Sequence, residues 1–332
     1  MTRPRLLSIV IVSFNTRELL RRCLSSIVEN PYHQVVIGGT SSEASGPHRL
    51  GGVPDFRPWL SVELVVVDNH SSDGSADMVE REFPAARLIR AASNLGFARA
   101  TNLGLRESRG SLLLLLNPDT EVLGNALVTM ADFLDTHRRV GVVGPSLLYP
   151  DGRPQHSAFR FPTLWMSFLD FFPLNHRLAN SRLNGRYRVP HNHGPLAVDH
   201  PLGAAMMVKR EALEEIGPLD ESFFMYCEEV DWCLRAKRRG WQIYQIPSAQ
   251  IVHHVGQSAA QFREAMLVEL HRSRYLLFRK HYPTGFTRAH RVITRAGLAR
   301  EMARALLLRF LGKIDRKELE QRLRAYRTIW SM

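Results

Sequence analysis

Short apolar segments rich in β-branched residues and leucine alternate with helical segments along the first half of this chain. Residues 6–12 read LLSIVIV, residues 62–67 read VELVVV, and residues 112–116 are consecutive leucines. Continuous apolar runs of this length are typical of strands buried on both faces of a parallel sheet. Because strands that alternate with helices form right-handed βαβ units, the sequence predicts an α/β fold with a mainly parallel central sheet flanked by helices.

Hydrophobic periodicity and turn residues place the other elements. Further strands are predicted at 87–90, 141–148, 203–209 and 241–246. Helices are predicted at 16–29, 76–83, 94–108, 123–137, 210–216 and 227–239, and again from about residue 259 onward. Residues 31–60 and 185–201, which carry many Pro, Gly and His residues and show no clear period, are interpreted as loops.

Polar residues follow three of the buried strands, and a parallel sheet binds its ligands where the carboxyl ends of the strands meet. They are Ser13 and Asn15, then Asp68, then Asn117 and Asp119. Asp119 and Glu121 together suit a hard divalent cation that bridges a diphosphate. Each segment is also explained by turn or capping chemistry alone, with Asn15 or Thr16 as the cap of the first helix.

Two further polar groups lie outside these strand ends. Asn94, Gly96 and Asn102 surround a helix start at which backbone can approach an anionic ligand closely. Glu228, Glu229 and Asp231 lie within four residues, inside a segment whose aromatic residues favour burial. Three close carboxylates repel one another, so they suit a cation or a proton-transfer role, unless they form a solvated helix N-terminus.

Composition narrows the class of protein. Hydrophobic residues are 45% and charged residues 23% of the 332, which excludes disorder over the whole chain. The three cysteines are too scattered for a disulfide framework and fit a reducing compartment. No apolar run reaches the ~18 residues of a membrane span, and the N-terminal apolar run is interpreted as a strand rather than a signal peptide.

Positive charge is concentrated in the C-terminal region. Residues 261–332 contain 17 basic and 6 acidic residues, whereas residues 1–260 contain 27 and 26. Such a region suits an anionic lipid surface, nucleic acid or an acidic partner. It also carries an apolar stripe at helical spacing, which suits either an interfacial helix on an anionic membrane or packing against the rest of the protein. The stripe consists of Leu298, Met302, Leu306, Leu307, Phe310, Leu311 and Ile314.

The polar segments occur in a specific order along the chain. They read SIVIVSFN, VVVDNHSSDGS, NLGFARATN, LLLLNPDTE, GAAMMVKREALEEIGPLDESFFMYCEEVDWCLR and IVHHVGQS. Over about residues 6–260 this order resembles a family-2 glycosyltransferase, and more narrowly its bacterial rhamnosyltransferase-like branch. The resemblance implies a GT-A fold with a nucleotide-binding half at 1–120 and an acceptor half at 121–260, followed by a basic helical region at 261–332.

The resemblance also implies roles for individual residues. Ser13, Asn15 and Asp68 would line the nucleoside pocket. Asn94, Gly96, Asn102 and Asn117 would border the nucleotide and sugar. Asp119 and His253 would be the ligands of Mg²⁺ or Mn²⁺. Glu229 stands where the family usually has a catalytic-base Asp. Because glutamate is one methylene longer than aspartate, Glu228 and Asp231 remain alternatives for this role. The loop at 31–60 is longer than the corresponding link in the family.

The implied reaction is inverting transfer of a sugar from a nucleoside-diphosphate donor to a hydroxyl of a cell-envelope glycan or lipid-linked acceptor. The donor would be dTDP-rhamnose or a UDP-sugar, and the location cytoplasmic, on the inner face of the membrane. A nucleic-acid-binding protein would leave the carboxylates unexplained, and no nucleic-acid partner is expected. A nucleotidyltransferase would need a glycine-rich loop that SFNTRELL lacks. A catalytically inactive GT-A-like scaffold stays open.

Overall fold

The computed structural model describes residues 5–36, 60–173, 181–187, 194–254 and 263–332. Most of the predicted loop at 31–60, and part of that at 185–201, lie outside the described residues. The strands are β1 Arg5–Ser13, β2 Gln34–Val35, β3 Leu60–Asp68, β4 Arg87–Arg90, β5 Leu112–Leu116, β6 Thr120–Val122, β7 Val140–Leu148, β8 Pro154–Gln155, β9 Ala158–Phe159, β10 Leu196–Ala197, β11 His200–Pro201, β12 Ala205–Lys209 and β13 Gln242–His253.

Helices cover both faces of the sheet and form the C-terminal region. They are α1 Arg17–Val28, α2 Ser75–Glu82, α3 Phe97–Glu107, α4 Ala126–Thr136, α5 Leu164–Phe171, α6 Arg210–Ile216, α7 Glu228–Arg238, α8 Arg263–His281, α9 Thr284–Phe310 and α10 Arg316–Trp330, with a short 3₁₀ turn at Arg182–Asn184. Within the described part of the chain, no helix combines the length and apolar character needed to cross a membrane.

The first half of the sheet is parallel, as the sequence predicts. Strand β1 lies between β3 and β5, and both pairings are parallel. The registers align the strand ends, because Ser13 faces Asp68 and Ile11 faces Leu116. The polar residues that follow β1, β3 and β5 therefore meet at one carboxyl edge of the sheet.

The second half of the sheet is mixed, so the mainly parallel prediction is correct only for the first half. Strand β12 runs antiparallel between β5 and β7, while β13 runs parallel to β7. The chain returns from β7 through short strands rather than a single helical crossover, which permits an antiparallel neighbour. Strands β7 and β13 consequently end at the same edge as β5, whereas β12 begins there.

Alternation along the central strands divides the core between two faces. Leu7, Ile9 and Ile11 point to the face covered by α1, α2 and α4. Val10 points to the other face, where Trp232 of α7 is almost completely buried. A strand apolar on both faces needs cover on both, and this cover holds the carboxyl edge in place.

The C-terminal helices are attached to the rest of the fold through specific contacts. Arg300 of α9 donates to the carbonyl of Phe171 at the end of α5. A Cβ atom on Gly297 would lie 2.1 Å from the Phe171 ring, so α9 approaches α5 closely only because residue 297 is glycine. The predicted apolar stripe is divided: Leu298 and Ile314 are buried, while Leu306, Leu307, Phe310 and Leu311 are exposed.

Candidate active site

The loops after β1 and β3 are bonded to each other. The Asn15 N–H donates to Ser71 Oγ at 3.0 Å, and Asn15 Oδ1 accepts from the Ser72 N–H at 2.8 Å. The predicted side-chain cap on α1 is absent; instead the Arg17 N–H donates to Asp73 Oδ2 at 2.8 Å. The cap was mispredicted because a carboxylate 56 residues away supplies it. Asn15 is thus a loop-forming residue in a left-handed conformation, with φ of 52°.

Asp68 leaves one oxygen for a ligand, whereas Ser13 does not. Asp68 Oδ2 accepts from the Ser71 N–H at 3.1 Å. Its Oδ1 is buried and has no hydrogen-bond partner among the described residues, an arrangement that favours an incoming N–H or O–H donor. The Ser13 hydroxyl is fully buried and bonds Thr16 Oγ1 at 2.9 Å, so it stabilises the turn instead of opening to a pocket.

Asn69, which the sequence reasoning did not assign to the site, fixes the next loop. Its amide nitrogen donates to Asn94 Oδ1 at 3.0 Å and to the Gly96 carbonyl at 3.3 Å. Its amide oxygen accepts from the Leu95 N–H at 2.8 Å. Asn94 therefore borders the site as a bonded loop residue. The position of Asn69, directly after Asp68, was the available sequence signal.

Gly96 lets the segment before α7 contact the start of α3. The Phe97 N–H donates to the Phe224 carbonyl at 2.6 Å. A Cβ atom on Gly96 would lie 2.5 Å from that carbonyl oxygen, and the φ of +78° is itself unfavourable for other residues. Tyr226 and Cys227, which follow in the same segment, both have positive φ. This strained turn directly precedes α7 and places the acidic residues at its start near the carboxyl edge.

Asn102 links α3 to a segment that lies more than a hundred residues further along the chain. Its amide nitrogen donates to the Leu219 carbonyl at 2.8 Å and to Glu221 Oε1 at 3.1 Å. Its amide oxygen accepts from the Leu219 N–H at 3.0 Å. Both ends of this buried amide are engaged, so Asn102 joins α3 to the segment before the acidic cluster.

The turn after β5 brings Asp119 to His253. Asp119 Oδ1 lies 3.5 Å from His253 Nε2, and both side chains are buried. His253 Nδ1 lies 3.1 Å from Gln155 Oε1, an amide oxygen that can only accept, so Nδ1 carries a proton. In the neutral imidazole, Nε2 then presents a lone pair to the Asp119 carboxylate. The Asp119 carboxylate oxygen and the His253 Nε2 lone pair therefore face each other without a proton between them. A divalent cation can bind both atoms at once.

Glu121, the second acid of the predicted cation pair, is directed elsewhere. Its Oε1 lies 2.6 Å from His254 Nε2. Across residues 5–36, 60–173, 181–187, 194–254 and 263–332, no group of three His, Cys, Asp or Glu side chains is arranged to hold a metal ion. Asp119 and His253 would therefore need ligand oxygens from a bound diphosphate to complete the coordination of a cation.

Glu228 and Glu229 face the interior near this turn. The side chain of Glu229 packs at Gly203, where a Cβ atom would lie 3.4 Å from the Glu229 carboxyl carbon. The next residue, Ala204, accepts the Asn117 N–H through its carbonyl at 2.9 Å. Gly203, which the Glu229 carboxyl group contacts, is thus the residue before the one that holds the Asn117–Asp119 turn by a backbone bond. Asn117 itself is half-buried.

Burial changes the proton affinity of this acid pair. It raises the pKa of Glu229, and it raises the pKa of Glu228 well above its usual value, to which the adjacent Glu229 charge adds. Neither Glu228 Oε2 nor Glu229 Oε2 has a hydrogen-bond partner among the described residues. A carboxylate with a raised pKa is a stronger proton acceptor at neutral pH.

Asp231 belongs to a different environment from the two glutamates. It is fully buried and contacts three basic groups, with distances of 2.8 Å to Arg235 Nε, 2.6 Å to Lys280 Nζ and 2.7 Å to His281 Nε2. Burial alone would raise the pKa of Asp231, but these hydrogen bonds and charges outweigh it and lower the pKa. Asp231 therefore binds α8 to α7, a structural role that the spacing of the cluster did not reveal.

Comparison with known proteins identifies the class of enzyme. Residues 8–217 match the model of glycosyl transferase family 2. The chain belongs to this family. The matched residues include Asp68 and Asp119 but end before Glu228, Glu229 and His253, so the roles of these three rest on the geometry above.

Two relatives of this family-2 glycosyltransferase have named activities. It is 28% identical over 244 residues to an N-acetylglucosaminyl-diphospho-decaprenol L-rhamnosyltransferase of Mycobacterium tuberculosis, covering 69% of this chain and 78% of the relative. It is 29% identical over 233 residues to the low-salt glycan biosynthesis hexosyltransferase Agl10 of Haloferax volcanii, covering 69% and 68%. The predicted likeness to a rhamnosyltransferase is confirmed.

A solved structure confirms the fold. The mannosyltransferase PcManGT from Pyrobaculum calidifontis, in complex with GDP-Man and Mn²⁺, superposes with a TM-score of 0.53 at 18% identity. The superposition covers 99% of this chain and 86% of that one. This family-2 glycosyltransferase therefore has the predicted GT-A fold.

Proposed function

We propose that this chain transfers a deoxyhexosyl or hexosyl group, with rhamnose the first choice, from a nucleoside diphosphate to a hydroxyl of a lipid-linked or cell-envelope glycan. One observation carries the proposal: the Glu229 carboxyl group packs beside Gly203, next to the backbone bond that holds the Asn117–Asp119 turn. A proton acceptor and a candidate cation ligand are thereby assembled at one sheet edge.

The donor would lie along the edge formed by β1, β3 and β5. The unpartnered Asp68 Oδ1 offers an acceptor to a base imide N–H or a ribose hydroxyl. Asn15 and Asn94 shape this pocket through the loops that they hold together. The diphosphate would then lie toward Asp119 and His253.

Asp119 and His253 would hold a divalent cation together with diphosphate oxygens. When bound, such a cation neutralises the charge that develops on the leaving diphosphate. The structure of PcManGT with GDP-Man and Mn²⁺ supports a divalent ion for this fold, with Mg²⁺ and Mn²⁺ both suitable here. Gln155 orients His253 by accepting from its Nδ1 proton.

Glu229 would act as the general base. The acceptor hydroxyl oxygen bonds to the anomeric carbon, its proton moves to the Glu229 carboxylate, and the bond from that carbon to the diphosphate oxygen breaks with its electron pair. Attack and departure on opposite faces invert the anomeric configuration. Glu228, the more deeply buried neighbour, would stay protonated and keep a second negative charge away from the site.

The acceptor class is inferred from the first relative, whose name specifies a sugar joined through a diphosphate to decaprenol. We propose an acceptor of the same kind, a sugar on a polyprenyl diphosphate carrier. Such a carrier places the reaction at the inner face of the cell membrane, with the enzyme on the cytoplasmic side.

A panel of nucleotide-sugars tests the donor proposal. The chain is mixed with dTDP-rhamnose, UDP-sugars or GDP-mannose, each with Mn²⁺, with Mg²⁺ or with a chelator, and its thermal unfolding is followed. A ligand that binds only the folded state adds about 2.7 kcal/mol at 100 times its Kd. We expect stabilisation that depends on the cation and is lost in Asp119→Ala. Absence of stabilisation by every donor would overturn the proposal.

A further inference from the structure

The turn between α9 and α10 is tightly specified by its own backbone. The Gly312 N–H donates to the Arg309 carbonyl at 3.1 Å, and the Lys313 N–H donates to the Leu308 carbonyl at 2.9 Å. Gly312 has a φ of +67°, which completes a Schellman motif at the end of α9. Asp315 then caps α10 by accepting from the Glu318 N–H at 2.7 Å. This end of the helical region is therefore an ordered, capped hairpin.

Large apolar side chains project from the outer surface of this hairpin. Phe310 is 87% exposed, and Leu306, Leu307 and Leu311 are 54%, 56% and 54% exposed. Their spacing of one, four and five residues places them on one side of the helix, opposite the buried Ala305. Four adjacent apolar residues held in water on a rigid helix indicate a contact surface.

Basic residues surround this apolar surface. Residues 302–317 contain five basic residues and one acidic residue, Asp315. Helical spacing places Arg304 and Arg309 on the two flanks of the apolar side chains. Arg309, Lys313 and Lys317 are exposed, and none forms an ion pair with a described residue. An apolar strip flanked by cations matches the chemistry of an anionic lipid surface, in which acyl chains lie beneath negative headgroups.

We propose that this hairpin tip, residues 304–317, docks the protein on the headgroup region of an anionic lipid bilayer. A second copy of the chain fits this surface less well, because a two-fold contact would bring the five basic residues of one tip against those of the other. Nucleic acid would leave the apolar side chains without a partner. The proposal does not rest on the identity of the donor or acceptor.

The docked tip would also orient the catalytic centre. Helix α9 is fixed to α5 at Phe171, and α8 is fixed to the acidic segment by Lys280 and His281 on Asp231. Ser273 of α8 also donates to the Met225 carbonyl at 2.7 Å, within the segment that leads to Glu228. The tip and the site are therefore connected through packed helices.

Co-sedimentation of the full chain with vesicles tests the proposal. The vesicles contain phosphatidylcholine alone or mixed with phosphatidylglycerol, at low and high salt. We expect binding to the anionic vesicles that weakens with salt, and we expect the double variant L306S/F310S to lose about tenfold or more of the partition coefficient. R309E/K313E should also lose binding to the anionic vesicles.

Val292→Ser is the matched control. Val292 lies on the same helix and is 68% exposed, but it precedes Arg304, the first residue of the tip, by 12 residues and Phe310 by 18. We expect V292S to bind vesicles like the unchanged chain. Because all these side chains are exposed, circular dichroism and thermal unfolding should be the same for every variant, and donor stabilisation should be unchanged.

Four results would overturn the proposal. The first is no binding to anionic vesicles by the unchanged chain. The second is equal binding by L306S/F310S. The third is a dimer in light scattering that the same double variant dissociates, which would make the tip a self-association surface. Tight binding of duplex DNA that is insensitive to L306S/F310S would likewise assign the basic residues to a polyanion.

Discussion

The carboxyl edge of the sheet and the C-terminal helices differ in which groups they leave without a partner. Within the described chain, every buried carboxylate oxygen that lacks a hydrogen-bond partner lies at the edge, on Asp68, Glu228 and Glu229. The C-terminal helix α8 instead covers a carboxylate of α7, Asp231, which lies among Arg235, Lys280 and His281. The edge leaves charge unsatisfied, whereas the helices neutralise it and expose apolar side chains.

Backbone conformation shows the same contrast. All non-glycine residues with positive φ in the described part of the chain flank the edge: Asn15, His70, Tyr226 and Cys227. The turn between α9 and α10 places its positive φ on Gly312, where no strain arises. Positive φ at non-glycine residues and unpaired carboxylate oxygens are thus concentrated where a ligand would bind, which is the pattern expected of a preorganised site.

The sharpest test of this contrast is Glu229→Gln. If Glu229 is the base, kcat should fall by about 10²- to 10⁴-fold, because the amide cannot accept the hydroxyl proton. Donor stabilisation should persist, since the nucleotide is bound by other residues. The measurement is initial-rate release of nucleoside diphosphate in the presence of acceptor. A larger loss in Glu228→Gln than in Glu229→Gln would transfer the role to Glu228.

Asp231→Asn should affect stability instead of chemistry. The substitution leaves Arg235, Lys280 and His281 facing a neutral amide, and breaking a buried ion pair in this way destabilises by about 3 kcal/mol or more. Urea unfolding measures the change. Asp77→Asn, which removes an exposed ion pair with Arg90, is the control and should cost about 1 kcal/mol or less. A stable Asp231→Asn with lost kcat would restore Asp231 as a catalytic candidate.

Gln155→Leu should weaken metal binding at the proposed Asp119–His253 site without disturbing the fold. Loss of the acceptor at His253 Nδ1 frees the imidazole to rotate or change tautomer, and we expect the affinity for Mn²⁺ in the presence of nucleoside diphosphate to fall about 10- to 100-fold. Electron paramagnetic resonance of free Mn²⁺ reports this affinity directly. Gln155→Glu, which retains an acceptor, should recover most of it; equal affinity in the leucine variant would refute the positioning role.

The smallest expected effect is an acid-dependent loss of stability in the helical region. Burial lowers the pKa of His271 to about 3 and that of His290 to about 4. A histidine with a depressed pKa stabilises the fold above its unfolded pKa of ~6.5, and the contribution is lost as the pH falls toward the folded value. Urea unfolding at pH 7, 5.5 and 4.5 should show a decline that His290→Gln reduces.

An exposed histidine provides the comparison for that series. His70→Asn removes an exposed ring at a left-handed position that asparagine tolerates, so it should leave the slope of stability against pH unchanged. If the decline is the same in His290→Gln and in His70→Asn, the buried histidines of the helices do not cause it.

The fold was predictable to the extent that each strand carries its own signal. The five leucines of β5 coincide with the predicted strand because they are apolar on both faces and bounded by turn residues. Strand β13 was predicted to end at Ile246 but continues to His253, because a bulge around Pro247 interrupts the periodicity before pairing resumes at Gln250. The antiparallel direction of β12 depends on its neighbours and leaves no local signal.

The sequence predicted where the candidate site lies, but it predicted the roles of the individual residues less well. Asp68, Asp119 and His253 lie at the predicted edge because their strands end there. The duties of Asn102 and Asp231 depend on partners far away in sequence, such as Leu219 and Lys280, and spacing alone cannot reveal them. Gln155 was missed for the same reason, since its partner lies 98 residues further on.

The reversed direction of β12 has a consequence for how this enzyme can diversify. Because β7 ends and β12 begins at the same edge, the stretch of chain between them, residues 149–204, starts and finishes beside the candidate active site. Insertions and exchanges between those two strands can therefore change the surface beside the candidate site while the parallel strands β1, β3 and β5 stay unchanged. The two sides of the candidate site are thereby free to evolve at different rates.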